Sequence, residues 1–315
     1  MTIAFLFPGQ GAQAPGMGKA LFDAFGPARE VFQEVDDALG ERLSRLIFEG
    51  PEDQLTLTAN TQPALFAVSL AVMRTLDKEF HVPVTKAAFV AGHSLGEYSA
   101  LAAAGALTVA DAARLLRTRG QAMQAAVPVG AGAMAALIGM VDLALAEEIV
   151  AEAQGAGVVV VANDNNVGNV VISGDKAGIE AAIAVAKAKS ARAVPLNVSA
   201  PFHSPLMAPA AEVMREALAQ ITITPLAVPL VANVLAGPVQ EPARIRDLLV
   251  EQVTGRVRWR ESVAWMAAED GGSVTRFIEV GAGKQLSGMV KRTAPEAETA
   301  ALNDPADLEA FAKSL

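Results

Sequence analysis

Apolar positions along the chain fall into short continuous runs and helical stripes. Residues 2–7 form a first run, stopped by Pro8-Gly9. Residues 87–91 form a second, which enters Gly92-His93-Ser94-Leu95-Gly96 and then an Ala-rich segment. Short apolar runs closed by glycine or proline predict buried parallel strands, so the second stretch reads as strand, tight turn and helix. Pro63 suits the first turn of a helix running to about residue 76, and residues 81–86, with His81, form the loop into the Ser94 strand. Gly105 as a C-cap and Thr108 as an N-cap frame a helix to about residue 126, stopped before Pro128. Its inward stripe is Ala112, Leu116, Arg119, Gly120 and Met123, at helical spacing.

From residue 130 to 196 the pattern changes. A strand over 133–138, a helix capped by Asp142 and running to about 153, strands over 158–163 and 169–173 paired across a polar 164–168 turn, a helix from Asp175 to about 188, and a strand over 191–196 give the order βαββαβ. This is the split-βαβ, ferredoxin-like motif, inserted into a larger fold. Residues 197–207 return the chain to the main unit. There 229–234 reads as a strand, 243–253 as a helix ended by Gly255, and 277–280 as a strand leading through Gly281-Ala282-Gly283 to a helix ending near 292. The expected fold is α/β, a parallel sheet plus the inserted ferredoxin-like unit. Residues 1–129 and 197–315 form one discontinuous domain and 130–196 the other.

Composition agrees. At 315 residues there is room for two units, and 52% hydrophobic with 5% aromatic residues predicts an aliphatic, Ala-rich core. The opening lacks a basic stretch and its first apolar run ends at Pro8, so neither signal peptide nor membrane anchor is expected, and the cytoplasm is the expected location. Absence of cysteine excludes thiolate nucleophiles and disulfides, and His81, His93 and His203 lack metal-ligand spacing, so no metal is expected. A net charge of −9 argues against nucleic acid as a partner, and an acidic protein partner requires a local basic patch.

The chemistry begins at Ser94. In a Gly-x-Ser-x-Gly turn between strand and helix, the serine takes a strained conformation that exposes its hydroxyl, while Gly92 and Gly96 remove colliding side chains. The Leu95 amide then lies at a helix N-terminus, able to hold an oxyanion. Gln10, in the loop leaving the first strand, is either an oxyanion donor through its backbone or a plain turn residue. Phosphate-loop and dinucleotide readings of that loop fail at Gln13, Ala14 and Ala20. Arg119 on an inward stripe needs an anion, either a ligand's or a buried carboxylate of the protein. His203, between two prolines in an irregular loop, is the general base by elimination: His81 precedes the strand and His93 projects away from Ser94. The last carbonyls of the 243–253 helix lack partners, and that of Gln252 could accept a ring N–H.

Six separated segments resemble the malonyl-CoA:acyl carrier protein transacylase family, in its order along nearly the whole chain: Phe7-Pro8-Gly9-Gln10-Gly11-Ala12-Gln13, Thr61-Gln62-Pro63-Ala64-Leu65, Gly92 through Ala100, Arg119-Gly120 with Met123-Gln124, Phe202-His203 and Glu279-Val280-Gly281. The resemblance implies a hydrolase-like α/β core carrying a ferredoxin-like insertion, with the site in the cleft between them. It implies that Ser94 carries the malonyl ester, His203 is the base, the Gln10 and Leu95 amides form the oxyanion hole, Arg119 pairs with the malonyl carboxylate, and the Gln252 carbonyl orients His203. Met123, Phe202 and His93 join Arg119 as substrate-binding residues. Ala282 stands where the family often has proline, and Phe202 where many bacterial members have serine.

The implied reaction is two-step transfer of malonyl from malonyl-CoA to Ser94 and on to the phosphopantetheine thiol of acyl carrier protein, by a monomer without cofactor or metal. A polyketide acyltransferase, a thioesterase with the same elbow and a non-catalytic docking module are the competing readings. Lys187, Lys189, Arg192, Lys284, Lys291 and Arg292 are the candidate docking patch for the acidic carrier.

Overall fold

The computed structural model describes residues 1–198 and 200–315. Among the described residues ten strands form two sheets: β1 (Ile3–Phe7), β2 (Phe89–Gly92), β3 (Gly132–Ile138), β4 (Val159–Asn166), β5 (Asn169–Asp175), β6 (Arg192–Pro195), β7 (Leu230–Ala232), β8 (Gly237–Val239), β9 (Arg276–Val280) and β10 (Glu298–Leu302). The larger sheet has the order β10-β9-β1-β2-β7-β8, parallel except for the β7–β8 hairpin at one edge.

β1 shows why its sequence reads as a continuous apolar run. Ile3, Phe5 and Phe7 pack into the core on one side of the sheet, and Ala4 and Leu6 into that on the other. Helices cover both faces, so alternation has no polar phase. Helix Thr58–Phe80, buried along most of its length, runs through the larger core and packs on helix Val109–Ala125. At their contact a Cβ on Gly120 would lie 2.6 Å from the Ala59 Cα, which is why glycine stands beside Arg119.

The smaller sheet, order β4-β5-β3-β6, is antiparallel throughout, the arrangement expected of a split βαβ unit. Helices Leu143–Ala153 and Lys176–Ala188, capped by the Asp142 and Asp175 side chains, bury one face with Leu137, Val161 and Ile172. Met134, Ala136 and Val171 on the other face meet Phe202 of the main body. β4 is also tied to the main body by its own backbone: Asp164 donates to the Val257 carbonyl at 2.9 Å and Val257 to that of Ala162 at 2.8 Å. The architecture is a hydrolase-like α/β core with a ferredoxin-like unit, as the sequence predicts.

Two local expectations change. Pro63 lies inside its helix, which starts at Thr58. The proline forfeits one bond to the Ala59 carbonyl, in a turn that the Leu57 carbonyl and the Thr61 hydroxyl already secure. The polar run 163–166 belongs to β4, leaving Val167-Gly168 as the turn. Its polar residues are tolerated in a strand because Asp164 is paired with Arg260 at 2.8 Å, while Asn163 and Asn165 line a cleft.

Candidate active site

Gly92 closes β2 and Gly96 opens the helix Gly96–Ala103. A Cβ on Gly92 would lie 1.9 Å from the Gly96 carbonyl, and one on Gly96 2.2 Å from the Phe7 oxygen. The turn between them is therefore available only to glycine, and it drives Ser94 to a φ of 52°. Asn233 fastens the turn, its Oδ1 accepting from the Ser94 amide at 2.8 Å and its Nδ2 donating to the Gly92 carbonyl at 2.7 Å.

The Ser94 hydroxyl faces His203, with Oγ 2.8 Å from Nε2. His203 itself has a φ of 55° and is buried. Its Nδ1 lies 2.9 Å from the Gln252 carbonyl and 3.1 Å from that of Gly255, both at the end of helix Pro242–Thr254. Those acceptors require the proton on Nδ1, which leaves Nε2 free to accept from Ser94. Burial, with a smaller push from the Arg119 charge, lowers the His203 pKa to about 3, so the ring is neutral.

Arg119 is buried on the inward stripe. One terminal nitrogen donates to the Gln62 Oε1 at 2.7 Å; the other donates to the Gln252 Oε1 at 2.8 Å and the Ser94 Oγ at 3.1 Å. Among the described residues no carboxylate lies within ion-pair distance of its guanidinium, so the protein does not supply the anion directly. Desolvation lowers its pKa, in keeping with a charge not matched by direct contact.

These groups border a cavity of about 400 Å³ between the two sheets. Ser94, His203, Arg119, Gln10, Leu95, Met123, Phe202 and His93 all line it, and Gln252 stands behind, reaching it through His203 and Arg119. Among the described residues the amides of Gln10 and Leu95 make no hydrogen bond within the protein. The Gln10 side chain is held by the Thr58 hydroxyl at 2.9 Å. The ring of His93 turns from the Ser94 hydroxyl to Asn165 of β4, at 2.8 Å, and packs against Trp259. Phe202 touches both the main core and the open face of the small sheet.

Sequence reasoning left Gln62, Glu97, Asn163, Asn165 and Asn233 unassigned. The Thr61-Gln62-Pro63 segment stood out without a role for its amide, and Asn163 and Asn165 stand in an unbroken polar run where no alternation marks them. Of the basic residues, Lys189 is engaged by Glu148 at 2.6 Å and Glu152 at 2.8 Å, whereas Lys187, Arg192, Lys284, Lys291 and Arg292 are exposed.

Residues 4–305 match the acyl transferase domain family. The malonyl CoA-acyl carrier protein transacylase of Bacillus subtilis strain 168 is 46% identical over 314 residues, covering 99% of this chain and 97% of that protein. The crystal structure of the acyl-carrier-protein S-malonyltransferase of Bartonella henselae is 52% identical with a TM-score of 0.96, over 100% of this chain and 99% of that one. A malonyl-transacylase in complex with a type II polyketide synthase acyl carrier protein, 39% identical, has a TM-score of 0.94 over the full length of both chains.

Proposed function

We propose, for a chain that belongs to the acyl transferase domain family, that it transfers the malonyl group of malonyl-CoA to the phosphopantetheine thiol of acyl carrier protein through a malonyl ester of Ser94. The observation that carries this is the meeting of a base and a cation at one oxygen: the Ser94 Oγ contacts both the neutral Nε2 of His203 and the guanidinium of Arg119. A nucleophile beside a base makes an ester, and a cation without its own carboxylate at the same spot selects an anionic acyl group.

In the first half-reaction His203 Nε2 takes the Ser94 proton as Oγ attacks the thioester carbonyl. The developing oxyanion is held by the Gln10 and Leu95 amides. Collapse breaks the carbon–sulfur bond, and His203 returns its proton to the departing CoA sulfur. The second half-reaction reverses these steps with the carrier thiol as nucleophile. Met123 and Phe202 shape the acyl pocket, and His93 borders the approach to it. No metal or redox group enters any step. We divide the chain into 1–129 with 197–315, and 130–196, a reading supported by the two sheets and their separate cores.

Among the described residues no helix is long and apolar enough to cross a membrane. From the bacterial relatives we place the enzyme in the cytoplasm, as a monomer serving fatty acid synthesis. A polyketide carrier is the second reading, favoured by the relative solved with such a carrier. Intact-protein mass spectrometry after mixing with malonyl-CoA alone tests the central claim. A malonyl adduct should form, vanish on addition of carrier protein bearing its thiol, and be absent from Ser94→Ala; an adduct in that variant overturns the assignment.

A further inference from the structure

We propose that Glu97 is a positioning residue for acyl selection: it fixes the side-chain amide of Gln252, and through it the guanidinium of Arg119. The inference rests on the reading of Arg119 as the group that holds the acyl carboxylate.

A guanidinium can only donate, so every side-chain amide that holds it must present oxygen. Arg119 is held by two such oxygens, Gln62 Oε1 and Gln252 Oε1. Nothing in an amide's shape prefers that orientation; it is set by what faces the nitrogen. For Gln62 the nitrogen donates to the Thr58 hydroxyl at 3.0 Å, and that hydroxyl spends its proton on the Gln10 Oε1. For Gln252 the nitrogen donates to the Ser94 carbonyl at 2.9 Å and to the Glu97 Oε2. A carboxylate accepts and cannot donate, so Gln252 cannot turn over without setting its carbonyl against negative charge.

The other oxygen of Glu97 accepts from the Asn233 amide, whose side chain bridges Gly92 and Ser94 across the elbow. The same carboxylate thus ties the nucleophile's turn to the cation's anchor. Glu97 is fully buried, and burial pushes its pKa up to about 8 against the pull of both donors and of Arg119. Each oxygen accepts an N–H in this arrangement, which is that of the carboxylate, the form that prevails above that pKa. Its charge reaches Arg119 through one intervening amide, which leaves the guanidinium's face toward Ser94 open to a ligand.

Glu97→Gln keeps the shape and removes one acceptor. Its amide nitrogen opposes either the Asn233 N–H or the Gln252 NH₂, and the second conflict is relieved only by flipping Gln252, which then points nitrogen at Arg119. The experiment measures catalytic efficiency with malonyl-CoA and acetyl-CoA, on one carrier protein, for the full-length enzyme and its Glu97→Gln, Gln252→Met, double and Arg119→Ala variants.

Glu97→Gln should lower the malonyl-to-acetyl ratio by roughly tenfold, Gln252→Met should lower it similarly, and the double variant should lower it no further, as for two residues on one path. A ratio within twofold of wild type in folded Glu97→Gln, or equal losses on both substrates, overturns the proposal. If Glu97→Gln does not fold, an unchanged ratio in Gln252→Met overturns it and a lowered one supports it. An unchanged ratio in Arg119→Ala refutes the underlying reading and the proposal together. A collapse in Arg119→Ala beside an unchanged Glu97→Gln refutes the proposal alone.

Discussion

The Nδ1 of His203 lies 2.9 Å from the main-chain carbonyl of Gln252, with the Gly255 carbonyl at 3.1 Å, so peptide oxygens at a helix end hold the base where a triad would use a carboxylate. The interaction survives any side-chain change at 252. With acetyl-CoA, which does not call on Arg119, Gln252→Ala should stay within several-fold of wild type, whereas His203→Ala should lose roughly 10²–10⁴-fold. An Asp or Glu whose removal costs acetyl transfer as much as His203→Ala would mean that a conventional triad acid exists.

The lowered pKa of His203 fixes the acid side of the pH profile. Burial first, and Arg119 second, bring it from 6.5 to about 3, so the base form is present across the physiological range. Catalytic efficiency with acetyl-CoA should show no inflection at 6.5. Stability follows the same sign: the folded state resists the proton that the unfolded chain takes up below 6.5, so stability is lost as pH falls from 6.5 toward 3. Wild type should lose melting temperature relative to His203→Ala over that window, and parallel curves would show that the ring is solvated.

How much of this was legible in the chain depends on whether a residue's role is local. Gly92, Ser94 and Gly96 declare themselves because a turn between strand and helix admits only glycine at its corners. The Gln252 carbonyl follows from counting orphan acceptors at a helix end. Arg119 was visible as a charge on an inward stripe, but whether its anion is internal depends on residues far away in the chain. Glu97 was not legible: helix Gly96–Ala103 is buried around nearly its whole circumference, so it has no polar face against which a buried acid would stand out. Asn233 and Gln62 act on residues more than fifty positions away, which no local pattern records. β8 and β10 are edge strands, short or half-exposed, without the apolar run that marks the centre of the sheet.

Carrier docking should follow the basic residues that remain free. Lys189 is neutralised by Glu148 and Glu152. Lys284 caps, and Lys291 and Arg292 lie on, the helix Gln285–Thr293 that borders the cavity at Met289, and the Arg292 guanidinium reaches toward Gly168 in the turn between β4 and β5. Reversing Lys291 and Arg292 to Glu should raise KM for carrier protein and leave that for malonyl-CoA, with the effect shrinking at higher salt. Equal shifts for both substrates would locate the carrier elsewhere.

Phe202 sits between the base and the open face of the small sheet, where Met134, Ala136 and Val171 back it. A ring there limits room at the α-carbon of the acyl group. Phe202→Ser should raise efficiency with methylmalonyl-CoA relative to malonyl-CoA, within the roughly 10–200-fold that one methyl group can command. An unchanged ratio would mean that the extra methyl points away from residue 202.

Arg119 carries the strongest prediction, because its surroundings separate recognition from support. Its buried guanidinium is held by two neutral amide oxygens, and among the described residues its remaining hydrogen bond is to the nucleophile itself. A carboxylate placed there gains a charge-assisted pair in a low-dielectric site, and both of its oxygens can be engaged by the planar fork. Arg119→Ala leaves that carboxylate unpaired, at a cost of about 2–5 kcal/mol, which corresponds to tens- to thousands-fold in malonyl transfer. Acetyl-CoA brings no anion, and its transfer should be retained or improved, since the variant also removes the positive field that disfavours an imidazolium on His203. Arg119→Lys keeps the charge but not the fork, and should fall between the two on malonyl alone. The ratio of efficiencies for the two acyl-CoAs decides the matter: if Arg119→Ala lowers both by one factor, the arginine braces Gln62 and Gln252 and selects nothing.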